Sequence, residues 1–258
     1  MSKPALDLFS RKSHALPQKL WLTGIQILLI ALVWYILFSD GALWFTIWPG
    51  NPVAENIPVR RLILLVFCIV TLCRFVLTFT FFMKRSIPFE ELISVPFAFG
   101  LYYVGSSVLA LPNHTPMGVL DYIGIGLFVT GSWLNSFSEY QIYRFKLASA
   151  NKGRLFTGGL FGLSIHINFF GDFLWVAGFA CVAGHVLGIF IPLMLLLMFM
   201  YLLIPPLDTH LRSRYGADFE AWERTNKRLV PYIWQAFSGV QYYQKMNASF
   251  IIRLGSVW

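Results

Sequence analysis

The sequence predicts an all-α polytopic membrane protein, a bundle of six or seven transmembrane helices. Three observations carry that expectation. Hydrophobic residues make up 57% of the 258, and the mean hydropathy is +0.64. Charged residues are 12%, well below the roughly one quarter that a water-facing surface carries. Six apolar runs also approach the ~20 residues that one crossing of the hydrocarbon core requires. These features exclude a water-soluble globule and a disordered tail. The net charge of +8 does not make the chain a nucleic-acid-binding module, because its charges gather in a few short stretches.

The expected spans are 20–38, 62–82, 92–111, 119–137, 168–186 and 187–207. Each should be helical, since lipid offers the backbone no hydrogen-bond partner. Gly184, His185 and Gly188 mark a hairpin between the last two. Trp21, Trp44 and Trp48 suit an interfacial aromatic belt. A seventh span or half-span would come from 41–58 or 155–166. No internal repeat or linker breaks the sequence, so residues 1–258 read as one domain. Within it, 20–111 hold the N-terminal spans, 119–234 the C-terminal half and 235–258 a tail. The first apolar run follows a basic leader and is long enough to span, so no cleavable signal peptide is expected. Cys68, Cys73 and Cys181 lie in apolar runs without metal-ligand spacing and read as buried thiols.

Orientation follows from Lys and Arg. Lys3, Arg11, Lys12 and Lys19 precede the first span, Lys84 and Arg85 follow the second, and Arg144, Lys146, Lys152 and Arg154 follow the fourth. Seven more lie after residue 207, whereas the opposite loops hold only Arg60 and Arg61. Both termini are therefore expected in the cytoplasm, with the chain in the inner membrane of a bacterium or the endoplasmic reticulum of a eukaryote.

Ionisable groups within spans are default functional candidates. Arg74 lies midway along the second span, and Asp172 lies one turn into the fifth. Asn135 and Glu139 are four apart and share a helix face, an arrangement that Asn168 and Asp172 repeat. Amide–carboxylate pairs suit a polyhydroxylated ligand, and nearby Arg144 suits phosphates. The alternative is that these groups satisfy one another or cap helix ends. After the last span, Asp208 with Arg212 and Arg214 with Asp218 are spaced for i,i+4 pairs. Gly216 reads as a helix stop, and Pro231 should end the helix that follows. That short helix could instead lie amphipathically on anionic lipid. Five scattered histidines exclude the histidine boxes of a di-iron enzyme. Gly124, Gly126 and Gly131 lie within a span and form no dinucleotide fingerprint.

Three motifs then occur in order. Gly158 through Asp172, with His166, Asn168, Gly171 and Asp172, resembles the His-x-Asn-aromatic-x-Gly-acid motif of membrane steroid and sterol reductases. Gly131 through Tyr140 resembles the Gly-x-x-x-Asn-x-x-Ser-acid-Tyr stretch of steroid 5-alpha-reductases. Arg214-Tyr215-Gly216, with Trp222 and Val230-Pro231-Tyr232, resembles the ending common to both groups. The likeness covers roughly 120–234, and a wider superfamily that includes isoprenylcysteine carboxyl methyltransferases shares it. Ser164-Ile165-His166-Ile167 departs from the Arg-His-Pro usual in those methyltransferases.

The resemblance implies a cytoplasmic cofactor pocket and an NADPH-dependent reductase. It would move hydride to a carbon–carbon double bond of a lipophilic steroid-like or isoprenoid substrate, drawn from the bilayer by a monomer among membrane lipids. It carries the cofactor role to Asn135, Glu139, Arg144, Asn168, Asp172, His210, Arg214 and Tyr215. In steroid 5-alpha-reductases a Glu and a Tyr of the N-terminal half bind the substrate ketone. Tyr102 or Tyr103, with Glu91, would be the polarising donor here, and Tyr215 and Asp208 come next; Glu55 and Glu90 are also available. The alternatives are an S-adenosylmethionine-dependent lipid methyltransferase and a non-enzymatic transporter. Polar residues clustered at one membrane face argue against the second.

Overall fold

A computed structural model describes residues 16–39, 58–82, 87–113 and 115–231. Glu55, Lys84, Arg85, Tyr232, Trp44, Trp48, the first three basic residues of the leader and the tail at 235–258 lie outside the described residues. The described chain is all helical, in seven helices: α1 Leu16–Phe38, α2 Val59–Phe82, α3 Glu91–Ala110, α4 Val119–Leu147, α5 Ile167–Ala183, α6 Val186–Tyr215 and α7 Ala217–Thr225. Four of them (α1, α2, α3 and α6) are long and apolar enough to cross a membrane, and α5 is a shorter apolar helix of 17 residues. The protein is a multi-pass membrane protein.

The sequence predicts six or seven spans, but among the described residues four helices qualify, α4 does not and α5 is shorter. Expected spans and helices also differ at their ends, for a physical reason. Hydropathy marks where lipid contact stops, whereas a helix continues for as long as its backbone stays paired. Thus α4 runs ten residues past Phe137 to Leu147, and α6 runs past Leu207 to Tyr215. Gly216, with φ +53°, ends α6, and α7 then stops at Thr225, well before Pro231. Gly184, at φ +64°, closes α5 in the left-handed cap that favours glycine.

Successive helices alternate in direction. At one end of the bundle Lys19 donates to the Phe79 carbonyl (2.6 Å), and Phe82 packs near Tyr140 and Tyr143. At the other, Arg60 forks onto Asp121, with Nε and Nη2 each 2.9 Å from a carboxylate oxygen, and Asn113 donates to the Ala183 carbonyl. The first of these, where Arg144, Lys146, Arg212 and Arg214 lie, is called the basic end below.

Two packing features position the site. An aromatic core joins α2, α3, α4 and α5: Phe67 stacks on Phe128 at 3.7 Å, Phe179 meets both edge-on, and Tyr103 and Trp175 pack on Phe179. The longest helix pairing is α4 against α5, and glycines set its closeness. Gly124 and Gly131 of α4 face Gly178 and Gly171 of α5. A Cβ at Gly124 would lie 2.9 Å from the Gly178 carbonyl oxygen, and one at Gly171 2.7 Å from the Asn135 nitrogen. Small residues let membrane helices approach to backbone contact, so these glycines serve packing.

The thiols divide. Cys68 is buried as expected and Cys181 half-buried, but Cys73 is exposed, because it projects from the outer face of α2.

Candidate functional site

The glycine seam brings the two amide–carboxylate pairs together near the basic end. The Asn135 side chain donates to the Asn168 carbonyl (3.3 Å), and the Asn168 amide donates to Glu139 Oε1 (3.1 Å). Asp172, one turn further along α5, accepts from Trp175 Nε1 at 2.8 Å. On the facing helix, Arg74 donates to Ser136 (2.9 Å), Ser132 (3.0 Å) and Asn135 Oδ1 (2.8 Å), and its guanidinium lies over the Trp175 ring. A chain of polar contacts thus runs from Arg74 through Asn135 and Asn168 to Glu139.

Cations edge this cluster. Lys146, about two turns beyond Glu139 on α4, feels both Glu139 and Arg214. Desolvation lowers its ammonium pKa, Glu139 opposes that and Arg214 adds to it. His210 is half-buried within electrostatic reach of Arg214, which itself lies over the Tyr215 ring. Arg144 is exposed and lies over Tyr140 of its own helix, away from the asparagines.

The segment after α7 returns to the start of α5. Ile165 and His166 amides donate to the carbonyls of Lys227 (2.8 Å) and Arg228 (3.0 Å), and Ser164 donates to the Leu229 carbonyl (2.8 Å). Asp208, 2% exposed, fixes this arrangement with both oxygens, one on His166 Nε2 (2.7 Å) and the other on Arg228. The i,i+4 pairs expected from sequence do not form: Arg212 pairs with Glu223 of α7 at 2.5 Å, leaving Asp208 to His166 and Arg228. The apolar face of α7 is filled by protein, since Phe219 and Trp222 pack with Phe161, Ile165 and Ile167.

Of the donors proposed for the substrate, Glu91, Asp208 and Tyr215 lie apart from the adjacent Tyr102 and Tyr103. Tyr103 is fully buried and donates to Gln26 Oε1 of α1 at 3.1 Å. Tyr102 is buried against Trp175 at 5.4 Å, near Asp172. Both lie in a π-helical turn of α3, Leu101–Gly105. Glu91 is buried at the opening of α3, separated from them by the length of the α-helical stretch Glu91–Gly100, and Tyr215 is half-buried at the end of α6. Of the expected site, Asn135, Glu139 and Asn168 meet directly, with Asp172 beside them. Sequence reading left Arg74 outside the site, together with Ser132, Ser136, Trp175 and Arg228. The intramembrane charge was the signal for Arg74; the others announce nothing until the helices pair.

Fold and site together define a polytopic membrane protein whose paired helices hold a polar cluster at one end. Residues 77–226, more than half of the chain, match the family described as a protein of unknown function, DUF1295, and the chain belongs to that family. No curated protein and no solved structure matches it.

Proposed function

We propose that this chain is an NADPH-dependent membrane reductase acting on a carbon–carbon double bond of a lipophilic steroid-like or isoprenoid substrate. The observation that carries the reading is the contact of Asn135, Asn168 and Glu139, with Lys146 and Arg214 in electrostatic range. The donor set fits that cofactor. Amides and a carboxylate hydrogen-bond ribose hydroxyls and a carboxamide, and cations suit a pyrophosphate. S-adenosylmethionine carries no phosphate and a sulfonium charge, so a rim of Lys and Arg favours the dinucleotide. When bound, NADPH supplies the hydride.

The chain's own residues position and protonate. Asn168 and Glu139 orient the sugar and nicotinamide portions, while Lys146, Arg214 and His210 receive the phosphates from the cytoplasm. The chain from Asp208 to Tyr215 and the loop over 146–154 would cover the bound cofactor. Both oxygens of Asp208 are committed and the Tyr103 hydroxyl serves Gln26. Of the remaining phenols, Tyr215 lies under Arg214 at the end of α6, and Tyr102, whose hydroxyl has no acceptor among the described residues, is the one that delivers a proton beside Trp175.

Thermal stabilisation of the full chain by NADPH, NADH and S-adenosylmethionine, followed by NADPH oxidation with a 3-oxo-4-ene steroid, tests this. NADPH should stabilise by mass action and be consumed. Stabilisation by S-adenosylmethionine alone would overturn it.

A further inference from the structure

Arg74 reaches the proposed cofactor contacts only through Asn135, yet it is an intramembrane charge, and such groups are retained at an energetic cost. Eight residues separate it from Phe82 at the basic end of α2, about 12 Å along a helix. It therefore lies within the hydrocarbon, deeper than lipid phosphates reach. Three of its five N–H groups donate to Ser132, Asn135 and Ser136. The other two have no acceptor among the described residues, and no carboxylate of those residues stands within ion-pair distance. Asp172 is close enough to answer part of its charge through space. What the site lacks is a hydrogen-bond acceptor more than a counter-ion.

A groove of about 290 Å³ opens beside this guanidinium. Leu77, Phe82, Trp133, Phe137 and Tyr140 wall it, and Arg74, Thr78 and Ser136 border a lining that is otherwise almost wholly apolar. Leu77, Trp133 and Phe137 are also exposed on the outer surface of the bundle, so the groove faces lipid laterally. Its volume is at the small end for ligand pockets, and its lateral opening lets a longer ligand extend into the bilayer.

We propose that this groove binds the carbonyl end of a neutral, bilayer-borne lipid, with the carbonyl oxygen accepting from Arg74. A neutral ketone reaches this depth, which a phosphate does not. It supplies the acceptor the spare N–H groups need. Its apolar body matches the aromatic walls. The reaction role rests on the reductase reading: a guanidinium on an enone oxygen stabilises the negative charge that grows there as hydride arrives at carbon. Arg74 then polarises the substrate carbonyl.

The test uses the full chain in nanodiscs with a 3-oxo-4-ene steroid carrying ¹³C at its ketone, and infrared difference spectroscopy without NADPH. Wild type should shift the labelled carbonyl stretch below its value in protein-free lipid. Arg74→Gln should return it to the lipid value and weaken steroid binding, read by tryptophan quenching, roughly 10- to 150-fold, the range of a hydrogen bond to a charged group. Because Arg74→Gln also removes contacts to α4, Leu77→Trp is the second variant. It fills the groove from a lipid-facing position and leaves the acceptors of Arg74 intact, and it too should abolish the shift. Tyr102→Phe and Tyr103→Phe should retain it. A wild-type band at the lipid value would overturn the proposal. So would equal affinity for the ketone-free analogue, or a shift that survives both groove variants. NADPH stabilisation with turnover that survives both groove variants would leave the reductase standing and remove this site. A shifted carbonyl without hydride transfer would do the reverse.

Discussion

A Cβ placed on Gly131 would lie 2.5 Å from the carbonyl oxygen of Gly171, closer than any real side chain comes. The Asn135–Asn168 contact depends on that closeness, since Asn135 lies one turn along α4 from Gly131. Gly131→Ala is therefore expected to push α4 and α5 apart. Overpacking of this kind costs about 1–3 kcal/mol. Gly126→Ala is the matched control, because nothing lies within 4 Å of its added Cβ. Thermal unfolding in detergent should show a lower midpoint for Gly131→Ala alone, along with weakened NADPH binding. An unchanged midpoint in both would show that the helices yield without loss.

At the opposite end of the bundle the Arg60–Asp121 fork is nearly sealed, with side-chain exposures of 3% and 6%. Arg60 also donates to the Thr115 carbonyl (2.9 Å), and Asp121 accepts from the Gly118 amide (2.8 Å). Removing one partner leaves the other buried without its counter-charge, which costs about 3–5 kcal/mol. Asp121→Ala and Arg60→Met should each destabilise strongly. The double variant should recover part of the loss, and that recovery is the quantity a thermal double-mutant cycle measures. Additive losses would mean that the two charges act independently.

How much of this was legible in the sequence follows from what each feature depends on. Spans at 62–82 and 92–111 match Val59–Phe82 and Glu91–Ala110 closely, because apolar length alone decides them. The ten helical residues after Phe137 were not legible, since Gln141, Tyr143 and Arg144 are hydrophilic enough to read as loop while still pairing their backbones. Asn135, Glu139 and Asn168 were legible from i,i+4 spacing and motif. Their mutual contact was not, because it needs Gly131 and Gly171 to meet across 40 residues of sequence. Arg60 read only as a topological charge; its partner lies 61 residues away, and pairwise contact at that range leaves no local pattern. The same holds for Asp208, whose partners His166 and Arg228 lie 42 and 20 residues away.

That Asp208 clamp supports a prediction of its own. Asp208→Asn keeps shape while removing the charge that holds His166 and Arg228, and it should loosen the segment over 227–229 from residues 164–166. Hydrogen exchange is the measure: the Ile165 and His166 amides, which donate to Lys227 and Arg228, should exchange faster. Amides in the middle of α5 should stay as protected as before. Equal protection at Ile165 and His166 in the variant would show that the backbone pairing holds without the carboxylate.

Asn168 joins the two helices by donating to Glu139 and by accepting from Asn135 through its backbone carbonyl. Asn168→Ala removes the amide and leaves the carbonyl contact in place, so the helices should stay paired and the protein should purify as a single species. Loss of hydrogen bonds to a desolvated or charged ligand costs about 1.5–3 kcal/mol each. NADPH affinity should therefore fall by roughly 10- to 150-fold, measured by thermal shift against cofactor concentration. Asp172→Ala should also weaken binding, by leaving Trp175 Nε1 without the acceptor that fixes its ring beside Arg74. Arg144→Ala should have a much smaller effect, since its guanidinium lies over Tyr140 and away from the asparagines. If Arg144→Ala instead weakens NADPH binding as much as Asn168→Ala, the phosphates lie along the exposed face of α4, and the cation assignment moves from Lys146 and Arg214 to Arg144.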